Sequence, residues 1–185
     1  MARIVYAMLT SLDGYIAGPE GGPALPVPKG ALHWHFNEAM KQTSAALYGR
    51  RMYEVMRFWE SWDETPGRPE VEVDFARAWR ATPKIVFSTT LRELGPNARL
   101  VGNDLENVVK SLKTEFVGDI SVAGGGLAAS LSRLRLIDEY RLYLHPVVLG
   151  GGKPFFEAGT SLKLRPLGVE SLAQDVTMLR YAPAD

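Results

Sequence analysis

Twice in this chain a short apolar run stops at glycine and passes straight into a helix-like pattern. Ala45-Ala-Leu-Tyr48 precedes Gly49, after which Arg50, Arg51, Met52, Tyr53 and Glu54 read as a helical start. Ile120-Ser-Val-Ala123 precedes Gly124-Gly125-Gly126, after which Leu127, Leu131 and Leu134 share one helical face. A strand that feeds a helix must return by a crossover to a parallel neighbour, so repeating this unit demands a sheet covered on both faces. Other segments fit the alternation. Residues 3–9 read as a buried first strand ended by Thr10-Ser-Leu-Asp-Gly14, whose Asp-Gly pair supplies turn chemistry. Leu32, Phe36, Ala39 and Met40 share a helical face over 31–43; Phe75, Ala78 and Trp79 suggest another helix, and 84–88 a buried strand. Leu105, Val108, Val109 and Leu112 form an i, i+3, i+4, i+7 stripe. Residues 139–148 read as an alternating strand that Pro146 interrupts or ends, and 162–168 and 176–181 as two further strands with no helix between them. That closing pair implies antiparallel pairing at one edge. The expected class is α/β with a mixed, mainly parallel sheet, in a single domain over 1–185.

Charge and composition narrow the function. Lys and Arg total 21 against 21 Asp and Glu, with no basic cluster, so the attraction to a phosphate backbone that nucleic-acid binders need is missing. No apolar run reaches the roughly 18 residues of a membrane span, and no leader-like basic and apolar stretch opens the chain. The reading is a soluble, cytoplasmic protein. There is no cysteine, which removes disulfides, thiolate nucleophiles and sulfur-rich metal sites. His33 and His35 lie two apart, which on a helix points them apart, and His145 has no acidic cluster nearby in sequence; no metal is expected.

Residues 17–30 hold four glycines and four prolines, which permits neither helix nor central strand, and a loop of that length is a candidate cover for a site. At the junctions around Gly49 and Gly124, glycine allows close approach of a ligand to the backbone, and the first N–H groups of a helix favour an anion such as phosphate. Easing a tight turn is the alternative use. Gly150-Gly-Gly-Lys153 is not a triphosphate loop, because Val147 stands where that motif needs glycine and Pro154 where it needs Ser or Thr. Asp13 admits two readings: turn-former, or a carboxylate at the end of a central strand where α/β sheets place reacting groups. Ser11 has no evident His/Asp partners for a hydrolase triad.

Five motifs in order, Ser11-Leu-Asp-Gly-Tyr-Ile-Ala17, Leu47-Tyr-Gly-Arg-Arg-Met-Tyr-Glu54, Ile85-Val-Phe-Ser-Thr89, Val122-Ala-Gly-Gly-Gly-Leu127 and the segment from Leu136 to Phe155, resemble the dihydrofolate-reductase-like superfamily. Within it the chain resembles a stand-alone form of the C-terminal reductase domain of the bifunctional riboflavin-biosynthesis deaminase/reductase. The resemblance implies a three-layer α/β/α domain, usually a homodimer, that binds NADPH and reduces a C=N or C=O group of a small heterocyclic or sugar-linked substrate. It puts Leu9, Ile16 and Ala17 beside the nicotinamide. Gly49, Arg50, Arg51 and Met52 map to the phosphate-holding helix start, with Arg50 reading the 2′-phosphate through bidentate hydrogen bonds. Ser88 and Thr89 map to the adenosine side, and Gly124, Gly125, Gly126 and Leu127 to the pyrophosphate turn. On this reading Asp13 orients the substrate directly or through water, Tyr15, Trp34 and Phe36 wall it, and the 17–30 loop closes over it.

The likeness has departures. Leu32-His-Trp-His-Phe-Asn37 lacks the carboxylate with which folate reductases engage a pteridine, and Ala123 stands where the riboflavin-pathway 5-amino-6-(5-phosphoribosylamino)uracil reductases carry Glu. A non-catalytic NADP(H)-binding sensor or storage protein is the alternative reading.

Overall fold

The computed structural model describes residues 1–62 and 66–184. Strands β1 (Arg3–Thr10), β2 (Tyr15–Ala17), β3 (Thr43–Gly49), β4 (Lys84–Phe87), β5 (Ala98–Val101), β6 (Asp119–Ala123), β7 (Glu139–Leu144), β8 (Lys153–Pro154), β9 (Leu164–Ser171) and β10 (Thr177–Pro183) alternate with helices in the first two thirds of the chain. The helices are α1 (Gly30–Lys41), α2 (Arg50–Met56), α3 (Glu70–Ala81), α4 (Leu105–Glu115) and α5 (Gly125–Arg133), with a 3-10 turn at Arg57–Glu60. Eight strands form one sheet in the order β5-β4-β3-β6-β1-β7-β10-β9; pairing is parallel from β5 through β7 and antiparallel at β7–β10 and β10–β9. This is the mixed, mainly parallel α/β sheet that the alternation demands, with the antiparallel pair at one edge.

Each central strand buries both faces. On one side Ile4, Leu47, Ile85 and Ile120 pack with Val109 and Leu112 of α4 and Leu131 of α5. On the other, Ala46, Tyr48 and Val86 pack with Phe75 and Trp79 of α3, and Phe36 and Met40 of α1 join them. Trp79 Nε1 donates to Tyr48 Oη at 3.1 Å, so the polar ends of these two buried rings satisfy each other. Beyond α1 this second face carries charge instead: Arg3, Asp119, Glu139, Arg141 and Arg180 form one ion-pair network.

Two features differ from the sequence expectation, and a third resolves an open one. β5 is a half-exposed edge strand with no apolar run to announce it. β2 and β8 pair with each other, turning the Tyr15–Ala17 segment and Lys153–Pro154 into a small second sheet. The strand over 139–148 ends at Leu144, just ahead of Pro146, which has no N–H for the ladder. Between β2 and α1, residues 18–29 form no helix or strand and are folded on their own turns, with Gly18 N–H donating to Gly22 O at 3.1 Å.

Candidate functional site

β3 and β6 are neighbours in register, with Tyr48 opposite Ala123, so the two glycine junctions that follow them lie side by side at the carboxyl edge of the sheet. Gly124 has φ +97°, a conformation that favours glycine, and a Cβ there would sit 3.1 Å from Met52 Cβ on α2. A Cβ on Gly125 would meet Ile16 Cδ1 and Lys153 Cε at 3.1 Å each. The α5 opening is therefore a bare backbone surface framed by Ile16, Met52 and Lys153. The first intrahelical bond there is Ala128 N–H to Gly124 O, 3.2 Å, which leaves the N–H groups of Gly125, Gly126 and Leu127 without helical partners.

At the neighbouring opening Arg50 is exposed, donates from Nη1 to Thr90 Oγ1 at 3.0 Å and lies 3.8 Å from Glu54. Arg51 is exposed and Met52 half-buried. Ser88 Oγ accepts the N–H groups of Thr90 (3.1 Å) and Leu91 (2.9 Å), which folds the chain after β4 into a turn beside Arg50; Thr89 is exposed on it. The structure thus gathers Gly49, Arg50, Ser88 and Thr89 along one rim, as the ends of adjacent strands must.

Below this rim lies a cavity of about 1080 Å³. Leu9 and Ile16 line its mouth, and Met52, Met56, Trp59 and Trp62 form one wall. His33 and Phe36 of α1 form another, Pro23 to Pro28 of the long loop lie along it, and Arg3, Arg141 and Arg180 mark its far end. The loop is pinned to the β9–β10 turn: Lys29 N–H donates to Gln174 Oε1 at 2.6 Å, and Gln174 Nε2 to Val27 O at 3.3 Å.

Other expected site residues sit differently. Trp34 is exposed and does not line the cavity, because 100° of helical rotation per residue turns it away from the face of Leu32 and Phe36; Lys41 Nζ lies 5.9 Å above its ring. Tyr15 pairs with Pro154 and Ala17 with Lys153 in the β2–β8 ribbon, so both hold the mouth through backbone rather than lining the cavity. Asp13 is exposed, and its carboxylate accepts N–H bonds from Leu149 (3.1 Å) and Gly150 (2.7 Å). The Ser11 hydroxyl and these two amides hold its carboxyl below the usual range, so it is an anion clamping two loops together.

Phe58, Trp59, Trp62 and Tyr143 line the cavity and were not singled out from sequence, whereas His35 was weighed there as a residue that could line a pocket. Phe58, Trp59 and Trp62 place three aromatic rings in five residues, a density visible in the chain but without a motif to give it meaning. Tyr143 and His35 meet across the cavity side of β7, Nε2 to Oη 3.3 Å; burial pushes the His35 imidazole below its ordinary pKa, favouring the neutral ring. His145 is buried next to β1, its Nε2 and Thr10 Oγ1 both lacking hydrogen-bond partners among the described residues.

A mixed, mainly parallel sheet with a glycine turn at its carboxyl edge, opening over a cavity, is the α/β fold of RibD reductase-like domains. The chain belongs to the RibD C-terminal domain family, which residues 2–178 match. It is 28% identical over 181 residues to the uncharacterized protein YyaP of Bacillus subtilis (strain 168), spanning 97% of this chain and 94% of that one. A solved structure from Shewanella sp. PV-4, of a protein provisionally assigned to riboflavin biosynthesis, aligns over the whole of both chains at 25% identity and TM-score 0.75. The diaminohydroxyphosphoribosylaminopyrimidine deaminase/5-amino-6-(5-phosphoribosylamino)uracil reductase of Thermotoga maritima aligns with 99% of this chain at TM-score 0.67 and 16% identity, a likeness of fold; the chain spans 57% of that protein.

Proposed function

We propose that this protein is an NADPH-dependent reductase that delivers hydride to a C=N or C=O carbon of a small heterocyclic or sugar-linked substrate. The observation that carries the reading is the α5 opening: a backbone surface, kept bare by Gly124 and Gly125, that sits between Ile16 and Met52 at the mouth of the cavity. The residues present fit a dinucleotide. The unpaired N–H groups of Gly125, Gly126 and Leu127 suit a pyrophosphate, and a side chain at Gly125 would crowd Ile16 and Lys153 beside them. Arg50, exposed on the adjacent rim, suits the dianionic 2′-phosphate, and the turn built by Ser88 and Thr89 borders the adenosine side.

When bound, the coenzyme supplies the hydride. The protein's share is geometry: Leu9 and Ile16, with the Ala17 backbone held in the β2–β8 ribbon, position the nicotinamide end, and Phe36 and the methionine–tryptophan wall seat the acceptor and exclude water. Asp13 acts on this site through the loop it clamps. The family resemblance further supports a cytoplasmic homodimer. Two measurements test the reading. Calorimetry should show NADPH binding, and loss of reduced-nicotinamide absorbance should appear only when an acceptor is added. Binding without turnover across a panel of heterocyclic acceptors supports the sensor reading instead; no heat with NADPH ends both.

A further inference from the structure

We propose that His33 offers its Nε2 lone pair to the molecule that enters the cavity, and that this molecule carries an N–H or O–H donor on the edge it turns toward α1. The proposal deepens the reading of the cavity as the substrate's, on which it rests for what then happens to the ligand; the argument itself concerns binding alone.

The placement of the ring hydrogen follows from the neighbours. Asn37 is buried, and one atom of its side-chain amide meets both Val71 O and Asp74 Oδ2, each at 2.8 Å. Val71 O is a carbonyl and can only accept. Burial alone would raise the Asp74 pKa, but hydrogen bonds from Lys41 and Asn37 hold it below its ordinary value, so it is an ionised carboxylate and accepts as well. The amide atom between these two acceptors is therefore Nδ2, and the remaining Oδ1 faces His33 Nδ1 at 2.9 Å. An amide oxygen accepts, so Nδ1 carries the hydrogen and donates it. In the neutral ring Nε2 is then a bare acceptor, fixed in that state by the bond on the other nitrogen. His33 and Asn37 stand four residues apart on α1, neighbours on one helical face, so the helix itself holds the pair in place.

Nε2 has no hydrogen-bond partner among the described residues, and the ring lines the cavity. It stands perpendicular to Trp59 and Phe75, with ring centroids 6.2 and 5.6 Å away, so this acceptor belongs to an otherwise apolar stretch of wall. A ligand that excludes water from that stretch must bring a donor to Nε2 or leave it unsatisfied at a cost in affinity. The carboxylates that line the cavity already have donors: Glu38 has Lys41 Nζ at 3.0 Å, Glu72 has Trp62 Nε1 at 2.9 Å, and Asp119 has Arg3 and Arg141. Arg68 stacks 3.7 Å over the Trp62 ring, so that part of the wall is occupied. The guanidinium groups of Arg3, Arg141 and Arg180 at the far end can only donate. His145 Nε2 also lacks a partner among the described residues, but it is sealed from solvent and does not line this cavity.

Two measurements on the full chain test this. Heteronuclear NMR of the ring nitrogens, simple to assign with three histidines, should find His33 in the Nδ1–H form at alkaline pH, where imidazole is neutral; it requires no variant. Calorimetry with theophylline, theobromine and caffeine then isolates the donor: the first two each keep one ring N–H, at different positions, and caffeine carries a methyl group at both. At least one of the pair should bind about tenfold tighter than caffeine, and the difference should vanish in His33→Phe, which keeps a flat ring without the acceptor. An Nε2–H tautomer, caffeine binding as tightly as both isomers, no binding of any of the three, or a difference that survives in His33→Phe would each overturn the proposal. Since no coenzyme or turnover enters these readouts, the expected pattern with no NADPH heat ends the reductase reading alone, and NADPH-dependent turnover without that pattern ends only this one.

Discussion

Gly124 and Met52 touch across the β3–β6 pair: a single methyl group on Gly124 would lie 3.1 Å from Met52 Cβ, and the Gly124 backbone has φ +97°. Gly124→Ala therefore meets both a strained backbone and a close neighbour that is itself a Cβ rather than a yielding chain end. The expected outcome is a loss of about 1–3 kcal/mol in stability and NADPH affinity lowered by about tenfold or more, read by thermal unfolding and calorimetry. Combining it with Met52→Ala should not restore either quantity, because that change leaves Cβ in place and the backbone conformation unaltered.

Arg50 gives a selective prediction. If its guanidinium engages the 2′-phosphate, Arg50→Ala should weaken NADPH by about tenfold to a hundredfold while NADH, which lacks that group, changes little. Equal loss for both coenzymes removes Arg50 from this role. Its side-chain bonds are to exposed Thr90 and Glu54, so folding should be unaffected.

Glu139 sets an acid limit on stability. Burial by itself would raise its pKa, but the hydrogen bonds and charges of Arg141 and Arg180 overcome this and bring it from 4.5 to about 2. A folded-state pKa below the unfolded value means the stabilisation is full above pH 4.5 and is lost as pH falls toward 2. It amounts to about 3 kcal/mol at neutral pH. Urea unfolding from pH 7 to 2.5 should show a steep acid limb, and Glu139→Gln should flatten it while lowering stability at pH 7.

Asp13 holds Leu149 and Gly150 by their N–H groups, so Asp13→Ala should accelerate hydrogen exchange at those two amides and leave those of β1 protected. Affinity for NADPH should fall modestly. A loss of turnover with unchanged exchange would instead return Asp13 to direct contact with substrate.

Gln174 accepts the Lys29 N–H and donates to Val27 O, and these two hydrogen bonds tie the proline-rich loop to the β9–β10 turn. Gln174→Ala should release that end of the loop, seen as faster exchange at the Lys29 amide and faster association and dissociation of NADPH with a smaller change in affinity.

The order of elements was readable in the chain because each signal is local. β1, β3, β4 and β6 are short apolar runs, α4 shows its stripe in Leu105, Val108, Val109 and Leu112, and the glycines after Tyr48 and Ala123 mark where two helices open. β5 escaped notice because Ala98-Arg-Leu-Val101 is an edge strand whose side chains are half-exposed, so burial left no pattern in it. Trp34 was expected in the substrate wall and stands outside it, although the helical face shared by Leu32 and Phe36 already turned it away; its aromatic character outweighed the periodicity in that expectation. Phe58, Trp59 and Trp62 were legible as residues but not as a wall, their meaning depending on α1 and α3 coming to meet them.

By itself, then, the sequence determined an α/β chain with a mainly parallel sheet, its antiparallel final pair, and two glycine-led helix starts, all consequences of periodicity and backbone freedom within a few neighbouring residues. Only the tertiary structure decided that β3 lies beside β6, that Arg3, Arg141 and Arg180 gather around Asp119 and Glu139 in one ion-pair network, and that aromatic rings from α1, α3 and the segment after α2 line the same cavity. These depend on contacts between residues dozens to more than a hundred positions apart. Such contacts are set by how whole elements pack, and no local pattern encodes them.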